Sequence, residues 1–145
     1  MAIRVLALDL ERTLIDDALS GRPRPGLCSF LAYCDERSER VAIYTTVEEA
    51  DAREVVADLL RSGHMPTALY DRLEFVAWSG EHKDLAFVAD AAPNEVVLVD
   101  DDEGWIRADQ SEQWIAIAAW DGGPDGELIR ARAELERRYE ATRTS

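Results

Sequence analysis

Residues 5–15, VLALDLERTLI, decide how the rest of the chain is read. The opening VLAL is apolar without alternation, the pattern of a strand covered on both faces in a parallel sheet. It then delivers two carboxylates, Asp9 and Glu11, followed by Thr13. Acids at the end of such a strand stand on the carboxyl edge of the sheet, where open α/β folds gather their ligands. Runs of the same kind recur as IRVLAL (which contains the first), VAIY, EVVLV and WIAIA, and a further short strand is expected near LEFVAW.

Helical patterns alternate with these runs. Pro25 and Gly26 open a segment whose Leu27, Phe30, Leu31 and Cys34 share one helical face. A second helix is predicted from Thr46, where Thr46 and Glu49 have capping-box spacing, with Ala52, Val55, Val56, Leu59 and Leu60 facing inward and a stop near Gly63. A third is predicted after Lys83, using Leu85, Val88 and Ala89 and closed by Pro93. The last follows DGGPDG and buries Leu128, Ala131, Leu135 and Tyr139. The expected fold is α/β: a Rossmann-like, doubly wound, mainly parallel sheet with helices on both faces. Residues 1–145 are expected to form a single domain. From Thr13 to Thr45 and from Thr45 to Lys83 the chain is used up by these elements, leaving no room for a separate cap domain.

With 47% hydrophobic and 32% charged residues the composition is that of a globular protein, and no apolar stretch nears the roughly 20 residues that span a bilayer. The opening MAIRVLALDL has the wrong charge pattern for a secretion signal, so a cytoplasmic location without membrane attachment is expected. A net charge of -14 repels polyanions and argues against nucleic acid as a partner. Cys28 and Cys34, six apart on a helix, point to different faces and are read as reduced core residues. Nothing in the sequence sets an oligomeric state.

The strand ends bring together Asp9 and Glu11, Thr45 with Thr46, and Asp100, Asp101 and Asp102, while Lys83 heads the third helical segment. Each alone is a weak signal, since a strand-end aspartate is commonly a turn former and a lone lysine is commonly solvated. In this order they suit phosphoryl transfer. An acidic pair plus a backbone carbonyl can hold Mg²⁺, and a lysine and a threonine can neutralise and orient phosphoryl oxygens. A cation would also offset the repulsion between carboxylates packed at a buried strand end.

In these residues the sequence resembles the haloacid dehalogenase-like phosphohydrolases, whose four motifs look like DLERTL, IYTT, HKDL and LVDDD here. The likeness is closer to the small carboxy-terminal-domain phosphatases and NLI-interacting-factor-like proteins, through RPGLCSFL, KDL, VDD and WDGGPDGEL. The resemblance implies an Mg²⁺-dependent phosphatase working through an aspartyl-phosphate. Asp9 would be the nucleophile, and Glu11 the general acid and base. Thr45 and Lys83 would bind the phosphoryl group. Asp9, Asp100, Asp101 and the Glu11 carbonyl would hold the metal. Thr13 is read as fixing the backbone, and Asp102 and Glu103 as solvated or capping residues. The substrate would be a phosphoprotein or a small phosphate ester.

Glu11 departs from that pattern, because the family has aspartate there. Glutamate has the same acid–base chemistry and a reference pKa of about 4.3 against 3.9, but reaches one methylene further. The main alternative is therefore a catalytically impaired phosphatase fold serving as a binding module. A response-regulator receiver also combines acids, threonine and lysine, but there a phosphoacceptor aspartate lies between the acidic pair and the threonine and lysine, an order this chain lacks. Of the tryptophans, Trp114 and Trp120 are expected to pack in the core, whereas Trp105, beside the acidic cluster, is a candidate for either the site or the core. His64 and His82 lack ligand spacing.

Overall fold

A computed structural model of the chain describes residues 2–143. Five parallel strands form one sheet in the order β3-β2-β1-β4-β5: β1 Val5–Leu8, β2 Arg40–Ile43, β3 Glu74–Phe75, β4 Val96–Asp100 and β5 Trp114–Ala116. The central β1 is flanked on both sides, which is why VLAL is fully buried and needs no polar alternation. Leu6 and Leu8 point to one face of the sheet, Val5 and Ala7 to the other.

Four α-helices cover the first face: α1 Leu27–Arg37, α2 Glu49–Arg61, α3 Thr67–Arg72 and α4 Glu127–Arg143. The inner stripes of α1 and α4 contain the residues that periodicity predicts, including Leu27, Phe30, Leu31, Leu128, Ala131 and Leu135. The second face is closed by short 3-10 turns and loops, with Leu85, Val88, Trp78 and Ile106 packed on Tyr44 and the outer sides of β1, β2 and β4. The chain order reverses between β3 and β4, so a crevice opens at the carboxyl ends of β1 and β4, the switch point of the sheet.

Several local expectations are corrected. The predicted third helix is a single 3-10 turn, Leu85–Phe87. The Asp84 side chain takes the Ala86 amide at 2.9 Å, and Asp90, at φ 55, turns the chain out of any helical path. Helix α2 starts at Glu49 rather than Thr46, because the Thr45 hydroxyl accepts from the Val47 amide at 3.1 Å and holds 45–47 in a turn. Short α3 carries no periodic signal, burying only Leu69. Cys28 is exposed on the outer face of α1, and only Cys34 is core. Trp114, on the edge strand, is half-buried, and its indole donates to the Asp100 carbonyl at 2.9 Å. Among the described residues no helix is long and apolar enough to cross a membrane.

Candidate active site

The register of the sheet makes the site. β1 and β4 run side by side, with Leu8 opposite Val99, so the next residue on each, Asp9 and Asp100, emerges at the same edge. The Asp9 amide continues the ladder by donating to the Val99 carbonyl at 3.0 Å. Lys83 arrives from the second face, its amide donating to the Trp105 carbonyl at 2.8 Å. The KDL segment is held from both sides. The Asp84 carboxylate accepts from Gln110 at 2.9 Å and Arg107 at 3.1 Å, and its carbonyl accepts from the Tyr44 hydroxyl at 2.7 Å.

Lys83 Nζ donates to Asp9 Oδ1 at 2.9 Å and to Asp100 Oδ2 at 2.5 Å, and all three residues are buried. The other Asp9 oxygen accepts from Thr13 Oγ1 at 2.8 Å, which also lies 3.2 Å from Asp101 Oδ1. Asp100 Oδ1 accepts from the Asp102 amide at 3.0 Å. Two buried carboxylates thus share one ammonium. Burial pushes Asp9 up to about 8, against the pull of Lys83 and with added repulsion from Asp100. Burial likewise raises Asp100, with Lys83 opposing it. For Lys83 burial alone would lower the pKa, but Asp9 and Asp100 together hold it above the ordinary lysine value.

The donor set fits a hard divalent cation. One oxygen each from Asp9, Asp100 and Asp101 lies within 4.8 Å of the others, a carboxylate cluster whose charge a single lysine does not balance. The Glu11 carboxylate is not part of this cluster. Its Oε2 accepts from the Ala18 amide at 2.7 Å, seven residues along the loop that follows β1. This gives the extra methylene of glutamate a structural use, tying the loop over residues 10–23 back to the motif.

The carboxylate pit has a volume of about 60 Å³ and is lined by Asp9, Glu11, Asp100, Asp101 and Lys83, with Thr46 and Trp105 at its rim. The structure therefore brings positions 9, 83, 100 and 101 together. Thr45 sits on the neighbouring strand end, buried, its hydroxyl engaged with the Val47 amide, and faces an adjoining groove; Thr46 lines both spaces. Trp105 lines the pit and also packs edge-on against Trp78, 5.7 Å between ring centroids. His82 is exposed.

Arg24 and Asp125 form a contact that neither of their motifs reveals from sequence alone. The guanidinium of Arg24, 1% exposed, makes a two-point contact with Asp125 at 2.7 and 3.0 Å. It also donates to the carbonyls of Ala118 at 2.6 Å, Arg12 at 3.1 Å and Thr13 at 3.3 Å. The Arg12 carbonyl also accepts from the Trp120 amide at 2.9 Å. The RPG and WDGGPDGEL segments therefore form a clasp behind the Glu11–Thr13 turn. Only their appearance as two charged residues in otherwise turn-like segments hinted at it. Arg12 itself has φ 61, a left-handed conformation unusual for a residue other than glycine, and it is among the residues lining the pit.

No curated protein matches the chain. A solved crystal structure superposes on it with a TM-score of 0.50 at 14% identity, over 97% of this chain and 84% of that one, a likeness of fold alone. A family model described as NLI interacting factor-like phosphatase matches residues 4–143, nearly the whole length. The chain thus belongs to the NLI interacting factor-like phosphatase family, a haloacid dehalogenase-like family.

Proposed function

We propose that the protein is an Mg²⁺-dependent phosphatase that acts through an aspartyl-phosphate on a phosphoprotein or small phosphate ester. The observation that supports this most is the buried Asp9–Lys83–Asp100 bridge in a chain of a phosphatase family, at 2.9 and 2.5 Å. Asp9, the carboxylate at the end of the central strand, attacks phosphorus as the bond to the leaving oxygen breaks. Lys83 keeps Asp9 oriented and offsets the charge of the incoming phosphoryl group, while Thr13 holds the second Asp9 oxygen. Thr45 and Thr46, at the next strand end, offer hydroxyls to phosphoryl oxygens.

Glu11 protonates the leaving oxygen from its carboxyl group, and then takes a proton from the water that attacks the aspartyl-phosphate, releasing phosphate and restoring Asp9. Its Oε2 rests on the Ala18 amide, so it acts through Oε1 or after letting that amide go. Asp9, Asp100 and Asp101, with the Glu11 carbonyl, would hold Mg²⁺, which when bound supplies positive charge against the phosphoryl oxygens.

The test is hydrolysis of p-nitrophenyl phosphate with Mg²⁺, with EDTA, and by Asp9→Asn. The expected result is turnover that EDTA and the substitution each abolish. Turnover that survives Asp9→Asn refutes the mechanism. Absence of any turnover by the wild type favours the reading as a binding module, for which the non-standard Glu11 is the supporting observation.

A further inference from the structure

Beside the carboxylate pit, a groove of about 390 Å³ opens at the carboxyl ends of β2 and β3, and Thr46 lines both. The pit, at about 60 Å³, is several times smaller than the groove and suits a phosphoryl group and little more. The groove falls in the usual size range of ligand sites, about 300 to 1,000 Å³. If the phosphatase reading holds, on which this inference rests, the part of the substrate beyond its phosphate lies in the groove.

The walls describe the occupant. The half-buried rings of Phe75 and Trp78 line the groove, with Thr45, Thr46 and Ser79 adding hydroxyls. Phe75 already receives a cation from this chain, since the Arg53 guanidinium lies 4.3 Å from its ring centroid. Arg53 is also paired with Glu49 at 3.0 Å, so those two charges are satisfied. Glu48 is different: exposed at the groove, it makes no ion pair or side-chain hydrogen bond among the described residues. An unspent carboxylate beside aromatic rings, on a chain of net charge -14, attracts a cationic group and repels an anionic one.

We propose that the groove reads a lysine or arginine side chain next to the phosphorylated residue of a phosphoprotein substrate, with Glu48 and the Trp78 ring as its contacts. The test uses three phosphoserine peptides identical except for arginine, alanine or glutamate beside the phosphoserine, with p-nitrophenyl phosphate as the reference substrate. For the wild type, kcat/KM is expected to be about tenfold higher for the arginine peptide than for the alanine peptide and lowest for the glutamate peptide. The preference should reside mainly in KM and shrink in 0.5 M NaCl. In Glu48→Lys the arginine-to-alanine ratio should fall to about one. Glu48 makes no capping bond but stands at the N-terminus of α2, so reversing its charge against the helix dipole should lower the melting temperature by only a few degrees and leave the fold intact. Equal use of the three peptides by an enzyme that hydrolyses p-nitrophenyl phosphate overturns the groove assignment alone, as does a preference unchanged in Glu48→Lys. Failure of the wild type to hydrolyse p-nitrophenyl phosphate or any peptide overturns the phosphatase reading, and this inference with it.

Discussion

Arg24→Met should be among the most destabilising single substitutions outside the hydrophobic core. The guanidinium is buried and makes five hydrogen bonds, two to Asp125 and three to carbonyls of the loops at 12–13 and 118. Methionine approximates the length of the stem but leaves Asp125 without its cation and the Thr13 and Ala118 carbonyls without that donor, while the Arg12 carbonyl keeps the Trp120 amide. Removing one member of a buried pair costs about 3–5 kcal/mol. Unfolding entropy of about 2.1 cal/mol/K per residue gives a chain of 145 residues about 0.3 kcal/mol/K. The melting temperature should therefore fall by about 10 to 17 °C. Thermal denaturation followed by circular dichroism reads this directly, and the drop should persist in 1 M NaCl, because a buried pair is little screened. Asp125→Asn and the double variant complete a thermodynamic cycle with an expected coupling of at least about 1 kcal/mol. A melting temperature within 3 °C of wild type, or additive effects in the cycle, would show that the clasp does not hold the motif turn.

Arg12→Gly relieves a left-handed conformation costing about 1–2 kcal/mol but loosens the unfolded chain, so a net gain of about 0.5–1 kcal/mol is expected; a lower melting temperature would contradict it. Glu11→Gln keeps an acceptor for the Ala18 amide but cannot transfer a proton, so alkyl phosphate turnover should drop about a hundredfold or more while aryl phosphates lose less; equal rates would remove Glu11 from the chemistry. In EDTA, stability should be greatest near pH 4–5. Above that, Asp9, raised to about 8, keeps a proton in the native state that the unfolded chain gives up from about pH 4, so stability declines towards pH 8; Asp9→Asn should make this limb shallower, leaving the part due to Asp100, which burial also raises. Below it, carboxylates held low, Asp125 by Arg24 and Glu136 at about 2 by Arg37 and Tyr33, lose their contribution as the pH falls towards 2; a urea titration at each pH checks both limbs.

The sheet and the meeting of Asp9 with Asp100 were readable because buried parallel strands need unbroken apolar runs, and such runs end on a common edge. Lys83 was readable as well, though for the wrong local reason: it heads a 3-10 turn held by Asp84, where periodicity suggested a helix. Side-chain competition for backbone amides, at Asp84 and at Thr45, leaves no trace in apolar spacing, and both helix errors arose there. The acceptor for Glu11 was hidden because Ala18 offers only its backbone. Arg24 and Asp125, 101 residues apart, could be matched only once the fold had brought the two loops together.

The row of rings Tyr44, Trp78 and Trp105 runs from beneath Lys83, across the groove wall, to the rim of the carboxylate pit. Two indoles touching neighbouring compartments make the protein its own optical sensor. Cation uptake should alter the emission of Trp105 and of Trp114, whose indole is bonded to the Asp100 carbonyl, and peptide docking that of Trp78, so comparing wild type with Trp105→Phe and Trp78→Phe would apportion the signal between the two events without a label.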